Sequence, residues 1–105
     1  MGVSQFDVFA NPERSRQPNV PCFVVIQSDH FVNAKTTVVV PLLRIAQPKI
    51  ITAANPQFVV GDDTLTLEPF QLAFIPTRLL TQRLGNLEEQ RHLIIRAMDA
   101  LMSGL

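Results

Sequence analysis

The sequence predicts one small antiparallel β-sheet, curled toward a barrel and finished by a single helix at its C-terminal end. Three observations carry this. Short apolar or alternating runs rich in Val, Ile, Phe and Thr recur over the first three quarters of the chain, punctuated by Pro, Gly, Asn and Asp. Apolar residues at helical spacing appear only after Asn86. No repeat, low-complexity tract or Gly/Ser linker divides the 105 residues, so residues 1–105 are expected to form a single domain with one small core.

Gln5-Phe6-Asp7-Val8-Phe9 alternates apolar and polar side chains and predicts a strand with one buried face. Pro12 and Pro18 exclude helix and central strand between Asn11 and Asn19, and the polar residues there predict a mobile surface loop. Cys22-Phe23-Val24-Val25-Ile26 is an unbroken β-branched and aromatic run that suits a strand buried on both faces. Thr36-Thr37-Val38-Val39-Val40 repeats that chemistry, and Pro41, lacking an N–H for the ladder, is expected to end it. These two strands form a hairpin with a longer loop around Asn33-Ala34-Lys35. From Leu42 to Pro56, with Pro48 inside, neither period holds, and the stretch reads as connecting structure. Gln57-Phe58-Val59-Val60 and Thr64-Leu65-Thr66-Leu67 flank Gly61-Asp62-Asp63 and predict a tight hairpin. Phe70 to Ile75 alternates up to Pro76 and gives a sixth strand. Asn86 can then accept from a free N–H of a helix beginning at Leu87, with Glu89 placed for a capping box. Leu87, Ile94, Met98, Leu101 and Leu105 share one side of that helix, with Arg91 and Asp99 on others, so it should pack on the sheet.

Composition narrows the function. Nine basic and nine acidic residues cancel, leaving no net field to draw the chain onto nucleic acid or an anionic membrane. Charged residues make up 17%, below the usual quarter, so apolar surface is left for a partner. A homodimer with a symmetric contact that includes the C-terminal helix region is expected. The lone Cys22 cannot pair within the chain and fits a reducing compartment, the cytoplasm. No stretch approaches the roughly 18 apolar residues of a membrane span, and no basic-then-apolar leader is visible at the start.

Catalytic chemistry needs a nucleophile with a base, or converging metal ligands, and neither pattern is present. His30 and His92 lie far apart, and no Cys, His and Asp set has ligand spacing, so no metal, cofactor or catalytic residue is assigned. Asp62-Asp63 after Gly61 reads as turn chemistry. Arg14 and Arg16 read as solvated loop residues, and Met98 and Met102 as core filler or adaptable contacts.

Several segments together carry a family resemblance. Gln5-Phe6-Asp7-Val8-Phe9, Phe23-Val24-Val25-Ile26-Gln27-Ser28-Asp29, the run ending Pro41-Leu42, Val59-Val60-Gly61-Asp62, Ile75-Pro76 and Met102-Ser103-Gly104-Leu105 follow one another in the order seen in CcdB. Over essentially its whole length, with Leu43 to Asn55 the poorest part, the chain resembles the CcdB family of toxins. The resemblance implies an SH3-like barrel of the CcdB/Kid type with a C-terminal helix, a homodimer, and a labile CcdA-like antitoxin. It also implies a target, the A subunit of DNA gyrase, trapped while its DNA is cleaved and without covalent chemistry by the toxin. By position it implies a gyrase-binding set of Asp99, Met102, Ser103, Gly104 and Leu105 at the helix end, with His30 and Phe31 after Gln27-Ser28-Asp29.

Two of these positions depart from the family pattern. Ser103 stands where the family carries a tryptophan, and the chain has none. His30 stands where an aliphatic residue is favoured. Loss of a buried aromatic anchor typically costs about 2 kcal/mol or more, roughly thirty-fold in affinity. One alternative is therefore a degenerate toxin that binds antitoxin without poisoning gyrase. Another is an endoribonuclease on the same barrel, for which only Arg14 and Arg16 with Glu13 could serve.

Overall fold

The fold is built on a strand, β3 (Thr36–Leu43), which pairs with three others, one along one edge and two along the other. In a computed structural model that describes residues 2–31, 34–45 and 53–103, β1 (Asp7–Ala10), β2 (Cys22–Val25), β4 (Gln57–Val60), β5 (Asp63–Leu67), β6 (Ala73–Pro76) and β7 (Arg83–Asn86) complete the sheet. Every pairing is antiparallel. The order is β4-β5-β3-β2-β1-β7, with β6 also on β3. One helix, α1 (Arg91–Ser103), follows. The result is a curled antiparallel sheet with a C-terminal helix, as the sequence predicts, and of the SH3-like small-barrel kind that the resemblance implies, with one strand more than expected among the described residues.

Side chains of β1, β2 and β3 are buried on both sides of the sheet. Val8, Cys22, Val24, Val40 and Leu42 meet Phe58, Leu65 and Leu67 of the β4–β5 hairpin and Ile94 and Ala97 of α1 in the larger core. Phe9, Phe23, Val25 and Val39 point the other way, toward Leu80, Ala73 and Ile75. Two-sided burial is why these runs are unbroken rather than alternating. It also corrects the reading of the first strand, whose four residues are all buried, Asp7 included.

Pro41 does not end β3, which runs on to Leu43. Val38 C=O accepts from Ile26 N–H on the β2 side, whereas Pro41 C=O accepts from Glu68 N–H on the other. A strand residue directs its N–H and C=O to the same edge. The missing N–H of Pro41 therefore falls on the edge where β3 changes partner, from β6 opposite Thr36–Val39 to β5 opposite Leu42 and Leu43. No ladder bond is lost there. Leu42 and Leu43 thus belong to a strand and not to the connecting stretch; residues 46–52 lie outside the described residues, as does Asn33 of the β2–β3 connection.

The β4–β5 hairpin forms as expected, with Gly61 at the first of two turn positions and in the left-handed region (φ +61°). The sixth strand starts later than its alternation suggests. Phe70 and Gln71 lie in a 3₁₀ turn, Pro69–Gln71, where the Glu68 carboxylate accepts from Phe70 N–H. Strand β7 carries no apolar pattern and is held by Asp7 across the sheet. The Asp7 carboxylate, 2% exposed, accepts from Arg83 Nε at 2.8 Å, Asn86 Nδ2 at 3.0 Å and Ser4 N–H at 2.8 Å. Just before it, Phe6 takes φ +70°, held by burial of its ring and by its N–H to Val25 C=O at 2.7 Å.

The helix also begins later than predicted. Asn86 Oδ1 does accept from Glu88 N–H, at 2.7 Å, but over a 3₁₀ turn, Glu88–Gln90, and Glu89 makes no capping box. Leu87 donates its N–H to Phe6 C=O and sits in the larger core, so tertiary anchoring displaces the helix start to Arg91. Ile94 is buried, Met98 and Leu101 are half-buried, and Arg91 and Asp99 are exposed, as the spacing requires. Leu105 lies outside the described residues.

The segment from Asn11 to Val20 is organised and not free. Asn11, 1% exposed, donates through Nδ2 to Val20 C=O and Gln17 Oε1 and accepts through Oδ1 from Glu13 N–H. Removing a buried partner of this kind costs about 1–3 kcal/mol. Asn11→Ala is expected to lower the free energy of unfolding by that amount, read from a denaturant titration, and to open Arg14 and Arg16 to trypsin in the folded protein. Unchanged stability and unchanged resistance would refute the role given to Asn11.

Candidate functional site

After β2, Gln27 and Ser28 use their side chains to brace the turn that follows, and Asp29, within that turn, ties it to Gln5. Gln27 Oε1 accepts from Val38 N–H at 3.1 Å, extending the β2–β3 ladder, while its Nε2 donates to Phe31 C=O at 3.2 Å. Ser28 Oγ accepts from His30 N–H at 3.2 Å, and Asp29 Oδ1 accepts from Gln5 N–H at 2.7 Å. The 3₁₀ turn Asp29–Phe31 that results has no buried residue and turns Phe31 outward, 62% exposed, with His30 exposed beside it.

Phe31 borders a shallow apolar groove of about 450 Å³, walled by Ile26, Ala34, Val38 and Phe74. Phe74 is 69% exposed and stands opposite Val38 in the β3–β6 register. It stands on the outer phase of a strand whose inner phase, Ala73 and Ile75, packs on the smaller core. The sequence reading missed it. Phe70, Leu72 and Phe74 are apolar in one phase, and Ala73 and Ile75 in the other; that double pattern was the available signal.

The last turn of α1 brings together Asp99, Met102 and Ser103, all exposed. Ser103 Oγ donates to Asp99 C=O at 2.6 Å and satisfies one of the carbonyls a helix end leaves open. Its side chain is folded back onto the helix. Met102 is 81% exposed, and Ile95, seven residues earlier on the same face, is exposed as well. Gly104 and Leu105 lie outside the described residues. The sequence-implied set therefore falls on two elements, His30 and Phe31 on the 3₁₀ turn and Asp99, Met102 and Ser103 on α1. The described lining of the groove beside Phe31 includes no α1 residue.

Elsewhere several polar groups are engaged with one another. A cavity of about 480 Å³ beside the first turn is lined by Ser4, Asp7, Asp29, Arg83 and Glu88, and its Asp7–Arg83 pair belongs to the β1–β7 clamp. Arg14 donates to Asn11 C=O and Gln82 Oε1, while Arg16 faces Glu13 at 3.8 Å in solvent. Burial pushes the Cys22 thiol up to about 11, with Arg44 pulling it down and Asp63 pushing it further up. Such a thiol is an inert core group near neutral pH. Among the described residues no three His, Cys, Asp or Glu side chains converge as metal ligands, and no helix is long and apolar enough to cross a membrane.

The small barrel thus displays apolar side chains on a braced turn, in a sheet groove and at a helix end. The family model described as CcdB protein matches residues 5–104, and the chain belongs to the CcdB family, the toxins of toxin–antitoxin pairs. No curated protein matches the chain.

Proposed function

We propose that this chain is a homodimeric cytoplasmic toxin that binds the A subunit of DNA gyrase, holds the enzyme on cleaved DNA, and is neutralised by a CcdA-like antitoxin. The observation that carries the reading is the family match, which runs to residue 104 and so takes in an α1 end whose apolar side chain projects into solvent. The chemistry is differential binding. A protein that binds the cleaved state of an enzyme and not the resealed one shifts that equilibrium by its difference in affinity, without making or breaking a bond. Met102 supplies the projecting apolar group, and its unbranched thioether adapts to a pocket shaped for something else. Asp99, Ser103, Gly104 and Leu105 complete the helix end, and His30 and Phe31 supply the second contact.

The groove between Phe31 and Phe74 supports the dimer. The outward Phe74, beside Ile26, Ala34 and Val38, makes a surface that a second copy covers by a self-complementary contact, with Phe31 at its rim left to the target. We propose the two-fold contact here, which leaves the α1 end free for the target; a contact that includes the C-terminal helix region, as expected from the sequence, is the other arrangement. Phe74→Asp, on an already exposed side chain, is expected to leave the fold intact and to convert dimer to monomer at micromolar concentration in analytical ultracentrifugation. Wild-type protein sedimenting as a monomer, or an unaltered dimer in the variant, would contradict the assignment.

The test of the target is a supercoiled-plasmid assay with purified gyrase. Wild-type protein is expected to trap cleaved DNA, Met102→Asp to abolish trapping, and Ser103→Trp to strengthen it by up to about thirty-fold, the worth of one aromatic anchor. Silence from the wild type and from Ser103→Trp alike would exclude the target. The absent tryptophan favours a second reading, an antitoxin-binding protein that no longer poisons gyrase. Trapping by Ser103→Trp alone, together with tight antitoxin binding by the wild type, would decide for that reading.

A further inference from the structure

We infer that Met102 is a site of selective, reversible oxidation, and that its sulfoxide disarms the helix end. The functional half of this inference rests on the gyrase reading above; the chemical half does not. Three described residues carry sulfur, and they sit in three environments. Cys22 is fully buried, with its thiol held protonated near neutral pH, so the nucleophilic thiolate is scarce and out of reach. Met98 is half-buried and packs against the larger core. Met102 is 81% exposed on the last turn of α1. A thioether needs no deprotonation to react, so access decides the order.

The step is a two-electron transfer of one oxygen atom from a peroxide. The sulfur lone pair attacks one oxygen of hydrogen peroxide, the O–O bond breaks as the S–O bond forms, and the displaced hydroxide takes the proton from the oxygen now on sulfur and leaves as water. Sulfur is oxidised and peroxide reduced. The product is polar and chiral where the thioether was apolar and adaptable, and seating a sulfoxide in an apolar pocket without a hydrogen-bond donor is unfavourable. Ser103 gives no relief within the chain, because its hydroxyl is already committed to Asp99 C=O. Methionine sulfoxide reductases return the side chain to its starting state.

The experiment treats folded protein with limiting hydrogen peroxide and locates the added oxygen by fragment-ion mass spectrometry of the peptide that follows Arg96, which contains Met98 and Met102. The oxygen is expected on Met102 first, with Cys22 unmodified until the protein is unfolded. Oxidation of Met98 or Cys22 ahead of Met102 would overturn the site. In the plasmid assay the oxidised protein is expected to lose trapping and to regain it after reductase treatment. Met98→Leu should keep the full peroxide response, and Met102→Leu, measured against its own untreated level, should lose it. Undiminished trapping by protein oxidised at Met102 would overturn the switch. Reduced protein that fails to act on gyrase would count against the gyrase reading alone, leaving the site to be decided by the masses.

Discussion

The fold depends on one strand having two partners along the same edge. β3 meets β6 through its first half and β5 through its second, and Pro41 stands where the exchange occurs. The two branches leave on opposite sides of the sheet: β5, with β4, covers the larger core, while β6 covers the smaller one. Val39 and Val40, adjacent and both fully buried, face these different cores. A flat sheet could not bury both faces of β1–β3 with so few strands; a forked one can, and it curls in doing so. Each such valine contributes roughly 1.5–3 kcal/mol by burial, against a net stability for a domain of this size of about 5–15 kcal/mol.

The fork also fixes where the exposed groups stand. β6, carried on the first half of β3, presents Phe74 outward beside Val38, and the Gln27 side chain ties the turn bearing Phe31 to the same stretch of β3. On the larger core, Leu87 and Ile94 seat α1 so that Met102 emerges at its far end. Asp7 serves a different purpose: its buried carboxylate gathers Ser4, Arg83 and Asn86 and so fixes β7, from which the chain enters the helix. The displayed groups are mounted on packed or hydrogen-bonded elements, which limits the entropy lost when a partner orders them.

What the sequence disclosed, and what it withheld, follows from the range of the interactions. The β2 run, the Gly61 turn and the helical spacing of Ile94, Met98 and Leu101 are local patterns, and all three are legible. β7 was not, because Arg83-Leu84-Gly85-Asn86 has no strand pattern and is specified by a carboxylate more than seventy residues away. The continuation of β3 through Pro41 was hidden for the same reason, since only the pairing of distant strands reveals that no N–H is needed there. Asn86 Oδ1 accepts a free N–H, that of Glu88, but over a 3₁₀ turn and not at the helix start, which falls later because Leu87 is held by Phe6 and the core. At the candidate site Met102 and Phe31 were legible through the family resemblance and prove exposed, whereas Phe74 required knowledge of which phase of its strand faces inward.

The central claim is that the exposed end of α1 is the surface that engages gyrase. Amide hydrogen exchange, followed on this chain alone and with purified gyrase A subunit on DNA, tests it most directly. The account predicts slowed exchange in the last turns of α1 and in the turn around Phe31, with the β4–β5 hairpin unchanged. Unaltered exchange in α1, or protection confined to that hairpin, would contradict it.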